Sequence, residues 1–398
     1  MKKLVIIGGG AAGIFAAIRA KKENPSYQVI VLEKTNKLLS KVLISGGGRC
    51  NVTHFCFDPK KLIQHYPRGS KELLGPFYTF GPKDTVYWFK EKGVTLKTEA
   101  DGRMFPVSDS SETIINCLLK TASNLKVDIR KNQKIVSISK EKDQFSIILK
   151  DETIIADKIL IATGSAKWGH NIAKEFGHTI VEPVPSLFTL NIPSSNLLDL
   201  SGISVPNVKL SLKNSKHTQE GPFLLTHWGF SGPASLKLSA WAARYLHSLD
   251  YKTTLLVNWT ASTNQEVLYQ CFLKQKKESP KKEIQSLLPK KLWIRLLSSI
   301  NIDHKTPIEK HSNKTLLKLA SKLYADSYEL NGKSTYKNEF VVAGGIDLKE
   351  LNFKTMESRI TPGLFFAGEV INVDGITGGF NFQNAWTTAW LSGKAMTL

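Results

Sequence analysis

The sequence predicts an α/β protein in which the two ends of the chain build one Rossmann-type nucleotide-binding domain. Three stretches carry that expectation. "KLVIIGGG" is a β-branched run that ends in glycines, followed by the helical spacing of "AAGIFAAIRAKK" and a second apolar run, "YQVIVLEK". "KILIATGS" returns to the same kind of buried strand in mid-chain, and "LFFAG" near the end is followed by apolar residues at helical spacing. Strands of this all-apolar kind suit a parallel sheet covered on both faces.

The first unit reads as strand, turn, helix, strand, with Gly8-x-Gly10-x-x-Gly13 at the turn and Glu33 closing the second strand. Each glycine has its own task in a dinucleotide fingerprint. Gly8 permits the tight turn, Gly10 lets backbone approach a pyrophosphate, and Gly13 lets the helix pack on the strand. The helix N-terminus offers amide donors and partial positive charge to phosphates. Glu33 is placed to accept both ribose hydroxyls of an adenosine and would repel a 2′-phosphate.

"SGGGRCN", residues 45–51, sets three glycines before an arginine, a cysteine and an asparagine. Three glycines in a row give up about 1 kcal/mol each against alanine in any regular element, so bare backbone is needed there. The stretch "VDIRKNQKIVSISKEKDQFSIILKDETIIADKILIATGS" reads as an antiparallel meander that leads back to a parallel strand. Thr163 and Gly164 end that strand at the carboxyl edge of the sheet, where ligands bind. In "GLFFAGEVINVDGITGGFNFQNAW", Glu369 at the strand end can hold a polyol hydroxyl, and Gly378 and Gly379 open the last helix to a ligand. Phe382, Ala385, Trp386 and Ala389 recur at helical spacing and read as core.

Between these parts, "FTLNIPSSNLLDLSGISVPNVKLSL" and "KTTLLVNW" look like barrel strands. "NQEVLYQCFLKQKKESPKKEIQSLLPKKLWIRLLSSI" and "SNKTLLKLASKLYADS" look like helices of an inserted cap. The net charge is +20, from 54 Lys and Arg against 34 Asp and Glu. Lysine dominates the excess, which suits a solvated surface better than the bidentate contacts that arginine makes with phosphates and bases. The four cysteines, Cys50, Cys56, Cys117 and Cys271, show neither metal-ligand spacing nor disulfide density, as expected of a reduced, cytoplasmic chain. "MKKLVIIGGGAAGIFAAIRA" mimics a secretory signal, but its glycine spacing has no use in one. No run is long and apolar enough to suggest a membrane span.

Taken together, "VIIGGGAAGIFAA", "KVLISGGGRCNVT", "DGRMFPVS", "LTHWGFSGP", "VVAGGIDLKEL" and "TMESRITPGLFFAGEVINVDGITGGFNFQNAW" resemble the aminoacetone-oxidase-type, or BaiN/YhiN-like, FAD-dependent oxidoreductases over nearly the whole chain. The resemblance implies a glutathione-reductase-type FAD-binding Rossmann domain interrupted by a β-barrel domain and a helical insertion. The expected boundaries are 1–187 for the first part of the FAD domain, 188–260 for the barrel and 261–336 for the helical insertion. Residues 337–398 are expected to hold the barrel return and the last part of the FAD domain. The cofactor set it implies adds Ala12, Lys34, Gly46, Gly47, Gly48, Arg49, Ile135, Gly368 and Asn381 to the residues above. Gly46 to Gly48 would admit the phosphate and ribityl region, and Arg49 would offset pyrophosphate charge. Cys50 reads as a packed thiol, because Cys50-x5-Cys56 is no redox spacing.

Chemistry beyond the flavin is thinly marked. Arg103 in the loop "DGRMFPVSDSS" and His227 in "THWGFSGP" are the catalytic candidates, and no metal cluster stands out. With no second GxGxxG, a nicotinamide donor such as NADH or NADPH would dock transiently. The expected activity is hydride transfer between FAD and a small molecule that the sequence leaves unnamed. A flavoprotein acting on RNA through the lysine-rich insertion, and a flavin-binding module without turnover, stand as alternatives. The sequence says nothing of oligomeric state.

Overall fold

The computed structural model describes residues 2–278, 287–333 and 341–398. The chain divides into two compact units, Met1–Val184 with Val341–Leu398, and Pro185–Phe340.

The first unit is built on a seven-stranded sheet. Its parallel part runs in the order Leu364–Phe366, Lys158–Ile161, Lys3–Ile7, Gln28–Leu32 and Asp128–Arg130. Two short antiparallel strands, Glu357–Ser358 and Leu351–Asn352, extend the first edge. Leu4, Val5 and Ile6 are fully buried, as both-face coverage requires of a central parallel strand. The first helix, Ala11–Glu23, is rich in alanine, and the C-terminal helix, Phe380–Ala395, packs along it. A Cβ on Gly393 would stand 2.6 Å from the Ala16 carbonyl oxygen, so that crossing depends on a bare backbone.

The expected meander is present as Ile135–Glu141, Gln144–Leu149 and Thr153–Ala156, paired antiparallel. "DGRMFPVS" differs from expectation. Arg103 does not sit in a loop but opens the strand Arg103–Pro106, the middle of a small sheet with Thr53–His54 and Leu96–Thr98. Met104, Phe105 and Pro106 are buried, and the turn signals on either side had masked so short a strand.

The second unit holds a six-stranded antiparallel sheet in the order Leu190–Asn191, Gly229–Ser231, Thr218–Thr226, Ser204–Leu212, Lys252–Asn258 and Asp326–Asn331. Its edges meet. Leu190 bridges Lys333, and Asn191 N–H donates to the Gly332 carbonyl at 3.3 Å, which closes the sheet into a barrel and removes its free edges. Helices Gln265–Glu278, Lys290–Ser298 and Asn313–Tyr324 lie between the last two strands in sequence. Asp326–Asn331 falls within 261–336, the stretch expected to be helical. Its buried and exposed residues alternate strictly, and it pairs with Lys252–Asn258. The remainder of the expected insertion at 279–286 and 334–336, and the expected barrel return at 337–340, lie outside the described residues.

Candidate cofactor site

At the end of the first strand the glycines divide by what surrounds them. A Cβ on Gly8, whose φ is +113°, would stand 2.5 Å from the Ala162 carbonyl oxygen, and one on Gly13 would stand 1.9 Å from that of Gly8. Both are demanded by close packing. A Cβ on Gly10 would meet nothing within 4 Å. Gly10 caps the first helix with no side-chain hydrogen bond, and no acid lies in the first turn, so the leading amides have no side-chain cap. Ala12 stands beside Gly368, whose Cβ would come within 3.0 Å of it.

Glu33 is held at the end of the second strand. Its carboxylate accepts from Gly9 N–H at 2.9 Å and from both the N–H and the hydroxyl of Thr35, at 2.8 and 2.9 Å, which fixes its position and leaves about one lone pair for a further donor. Lys34 beside it is exposed. Gln133 N–H donates to the Glu33 carbonyl at 2.8 Å, which brings Ile135, two residues on and buried, near the same strand end.

Three segments converge at Glu369. Lys41 forms an ion pair with it, Ser165 lies 3.5 Å from the Lys41 ammonium, and a Cβ on Gly164 would be 3.6 Å from its carboxylate. Thr163 lies one residue earlier, with a buried hydroxyl that has no hydrogen-bond partner. Sequence reasoning missed Lys41. The only signal was its place five residues before the glycine run, in a chain where lysines are common.

The glycine run answers its own question in two parts. Ser40–Gly48 starts as a helix and breaks at Ser45, after which Gly46, Gly47 and Gly48 adopt φ of +57°, +69° and +82°. Gly46 is pressed against Phe105, with a Cβ-to-ring distance of 2.9 Å, whereas Gly47 and Gly48 face nothing within 4 Å. Arg49, expected to offset pyrophosphate charge, has protein partners of its own in this structure. Its guanidinium bonds Glu99 at 2.6 Å, reaches Asp109 at 3.5 Å and lies 4.0 Å over the Phe105 ring, so the protein's own carboxylates neutralise it. Cys50 is fully buried, and burial pushes its thiol up to about 12, which removes thiolate at neutral pH.

The start of the C-terminal helix is fixed by the segment after that run. A Cβ on Gly379 would stand 2.5 Å from the Thr53 carbonyl oxygen, and one on Gly378 would stand 2.7 Å from the Phe380 ring. With its amide turned to satisfy both neighbours, Asn51 accepts from Gly379 N–H at 2.9 Å and donates to the Thr53 carbonyl at 3.0 Å. Asn381 spends its side chain on Gly375, accepting from its N–H at 2.8 Å and donating to its carbonyl at 2.9 Å. Arg68 pairs with the buried Asp374 and pins the same loop. Deeper in the helix, Thr53 and Thr85 both donate to Gln383, at 2.6 and 3.0 Å.

The two catalytic candidates fall in different units. Arg103 is tied to Asp101 at 2.7 Å and to Glu99 at 3.0 Å, the carboxylate it shares with Arg49. His227 is exposed in the turn between Thr218–Thr226 and Gly229–Ser231 of the second unit.

FAD suits the first unit on features of the unit itself. Gly10, Gly47 and Gly48 leave open faces where an added Cβ would intrude, and the first helix presents uncapped amides. Asn384 is fully buried, and neither amide atom has a hydrogen-bond partner among the described residues. It lies one turn before Thr388, whose hydroxyl accepts from Gly368 N–H at 3.0 Å, so both belong to one helix face. An unsatisfied buried amide costs about 1–3 kcal/mol and marks a place where a polar partner belongs. No group of acids, histidines and cysteines among the described residues could hold a metal ion.

Comparison with known proteins agrees with this geometry. The chain is 31% identical to a ribosomal RNA dihydrouridine synthase of Escherichia coli, over 97% of this chain and 96% of the relative. It is 27% identical to a 3-dehydro-bile acid delta(4,6)-reductase of Clostridium scindens, over 99% of both. Among solved structures, a 3-ketosteroid-delta4-(5alpha)-dehydrogenase of Rhodococcus jostii shares the fold with a TM-score of 0.52 at 12% identity, covering 100% of this chain and 97% of that one. The FrdA chain of an E. coli quinol fumarate reductase does so with a TM-score of 0.51 at 14% identity, covering 100% of this chain and 70% of that one. The profile of the HI0933-like protein Rossmann domain matches residues 2–395. A fingerprint, an acid and a closing C-terminal helix arranged in this way thus place the chain in the HI0933-like family of FAD-dependent oxidoreductases.

Proposed function

We propose that this protein is an FAD-dependent reductase that saturates a carbon–carbon double bond conjugated to a carbonyl, and that its substrate is uridine in RNA. The observation that carries the reading is what the two kinds of full-length relatives have in common. Their names differ in substrate, ribosomal RNA in one and a 3-dehydro-bile acid in the other. In both, the bond that gains hydrogen lies in conjugation with a ring carbonyl, in uracil as in a 3-oxo steroid. Such a bond accepts hydride at its β-carbon and a proton at its α-carbon. Two relatives named for ribosomal RNA, at 31% and 30% identity, support RNA over the small molecule that the sequence alone favoured.

Bound FAD supplies the two-electron hydride chemistry at its ring. On this chain, Gly8, Gly10, Gly13 and the first helix would hold the pyrophosphate, and Glu33 the ribose hydroxyls, with Lys34 and Ile135 flanking the adenosine. Gly46 to Gly48, Thr163, Gly164, Gly368 and Glu369 would line the middle of the cofactor, with Lys41 balancing the Glu369 charge. Gly378, Gly379 and the backbone of Asn381 would turn the C-terminal helix amides toward the flavin. Of the two catalytic candidates, only the His227 imidazole can give up a proton, whereas the Arg103 guanidinium can hold a carbonyl or phosphate oxygen. NADH or NADPH would supply the electrons by docking transiently.

Purified protein given NADPH and unmodified ribosomal RNA should raise the dihydrouridine content, read by nuclease digestion and mass spectrometry. Reduction of a cyclic enone with RNA untouched would replace the RNA by a small molecule. Reduced flavin that neither substrate reoxidises would end the reading.

A further inference from the structure

We infer that the acid-poor helices of the second unit form a surface that binds RNA phosphates, with Lys277, Lys310 and Lys314 at its centre. The inference rests on RNA being the substrate, and names where it docks. Residues 287–325 carry eight Lys or Arg and only two acids, Asp303 and Glu309, whereas Gln265–Glu278, which holds Lys277, has the acids Glu266 and Glu278 at its two ends. Helices Lys290–Ser298 and Asn313–Tyr324 contain no acid at all. Arg295 and Lys322 find carboxylates only outside these helices, in Asp199 and Asp326.

The lysines are gathered by contacts within the unit. Lys276 donates to the His311 carbonyl at 2.8 Å and to the Asn313 side chain at 3.1 Å, which ties the end of Gln265–Glu278 to the start of Asn313–Tyr324. Lys277, Lys310 and Lys314 each lie next to one of those anchor residues in sequence. All three are exposed, and none has an ion pair among the described residues. Lys318 donates to the Ile300 carbonyl at 3.0 Å and ties in the end of Lys290–Ser298.

Lys277 lies in the last turn of its helix, where positive charge is favourable, but the lysines of the other two helices run against helix electrostatics. Positive side chains are unfavourable at a helix N-terminus, where the macrodipole is itself positive. Yet Lys290 and Lys291 open one helix, Lys314 lies in the first turn of the other, and neither first turn holds an acid. Amide dipoles and ammonium groups then add to one another, which suits a partner carrying a row of phosphates. A folded RNA presents such a row, and lysine as a point charge reads backbone without reading sequence.

The test uses the FAD-loaded full chain and a labelled, unmodified ribosomal RNA fragment, with affinity measured by anisotropy across added salt. Lys277→Glu/Lys310→Glu/Lys314→Glu should lower affinity by more than about tenfold and reduce the slope of log affinity against log salt by roughly two to three. FAD content and the rate of flavin reduction by NADPH should stay as in the unsubstituted protein. Charge reversal at Lys83 and Lys120, exposed in the first unit, should change affinity by less than about twofold beyond the general loss expected from net charge. An unchanged affinity and slope in the triple variant would overturn the inference while leaving the substrate reading intact. A wild-type protein that forms no dihydrouridine in RNA would sink the substrate reading itself. Binding to phosphatidylserine vesicles with no binding to RNA would assign the surface to a membrane and overturn the inference equally.

Discussion

Gly10 and Gly13 stand three residues apart, and substituting them should have opposite consequences. Gly10 has φ of −84°, allowed for any residue, and open space where a Cβ would stand. Gly10→Ala should therefore fold with an unaltered melting temperature in the apo form, yet retain little FAD, because the methyl occupies the approach to the helix amides. Gly13→Ala would drive a methyl to 1.9 Å from the Gly8 carbonyl oxygen, so it should lower the melting temperature of the apo protein itself. Equal loss of stability in both variants would show that Gly10 is only a packing glycine. Glu33 adds a second residue-scale test. Glu33→Ala removes the carboxylate proposed to accept from the ribose, a charge-assisted hydrogen bond worth about 1.5–3 kcal/mol, and FAD should leave on dialysis. Full occupancy after dialysis would remove Glu33 from the site. Because one Glu33 oxygen also accepts from Gly9 N–H and the other from Thr35 N–H, the melting temperature of the apo variant is read beside its FAD content, to separate loop disorder from a lost ribose contact.

At the scale of elements, the C-terminal helix is where charge can be tested against the flavin. Gly378 is unsuited to the task, since its φ is +134° and a Cβ would collide with the Phe380 ring. Asn381→Asp keeps the side-chain size in the first turn and still accepts from Gly375 N–H, but it adds a negative charge and turns an oxygen to the Gly375 carbonyl in place of the amide donor, so Asn381→Leu serves as the control for that lost bond. If the added charge offsets the helix dipole at the flavin on the scale of a charge at a helix terminus, about 0.3–2 kcal/mol, the potential of the two-electron couple should fall by roughly 6–43 mV. A variant with full flavin content and an unchanged or higher potential would make this helix scaffold only. The helix was legible in the sequence because Ala385, Trp386 and Ala389 keep one spacing, as was the fingerprint turn, where each glycine stands for a distinct backbone need. The strand Asp326–Asn331 was not, because "YADSYELN" runs on from a helical pattern without a turn residue that marks the change. Lys41 was hidden for another reason: its meeting with Glu369 spans 328 residues, and local spacing carries no trace of it. Arg49 shows the converse, a residue whose chemistry suits phosphate but whose neighbours Glu99 and Asp109 claim the charge.

For the whole molecule, the division of labour can be tested by taking away one unit. Removing only the helices between Gln265 and Tyr324 would be a poor test. Leu268, Phe272, Leu292, Trp293, Leu316 and Leu319 belong to one buried cluster with barrel residues such as Leu210, Phe223 and Trp259, so the cut would bare a core and invite aggregation. Excising the entire second unit avoids this. The chain leaves and re-enters the first unit through the paired strands Ile180–Ser186 and Val341–Ile346, and a Cβ on Gly344 would lie 2.6 Å from the Glu182 carbonyl oxygen. A short glycine-rich linker from Val184 to Val341 can therefore join neighbours. Every residue proposed to hold FAD lies in Met1–Val184 or Val341–Leu398, whereas His227 and the lysine-rich helices do not. The excised protein should keep FAD with an affinity within about tenfold of the full chain, a difference of 1.4 kcal/mol or less. It should bind RNA weakly and form no dihydrouridine. Flavin titration by fluorescence quenching and circular dichroism of the same sample decide the matter together. A folded, soluble product that has lost FAD would mean that Pro185–Phe340 contributes to cofactor binding, and the site would have to be redrawn across both units.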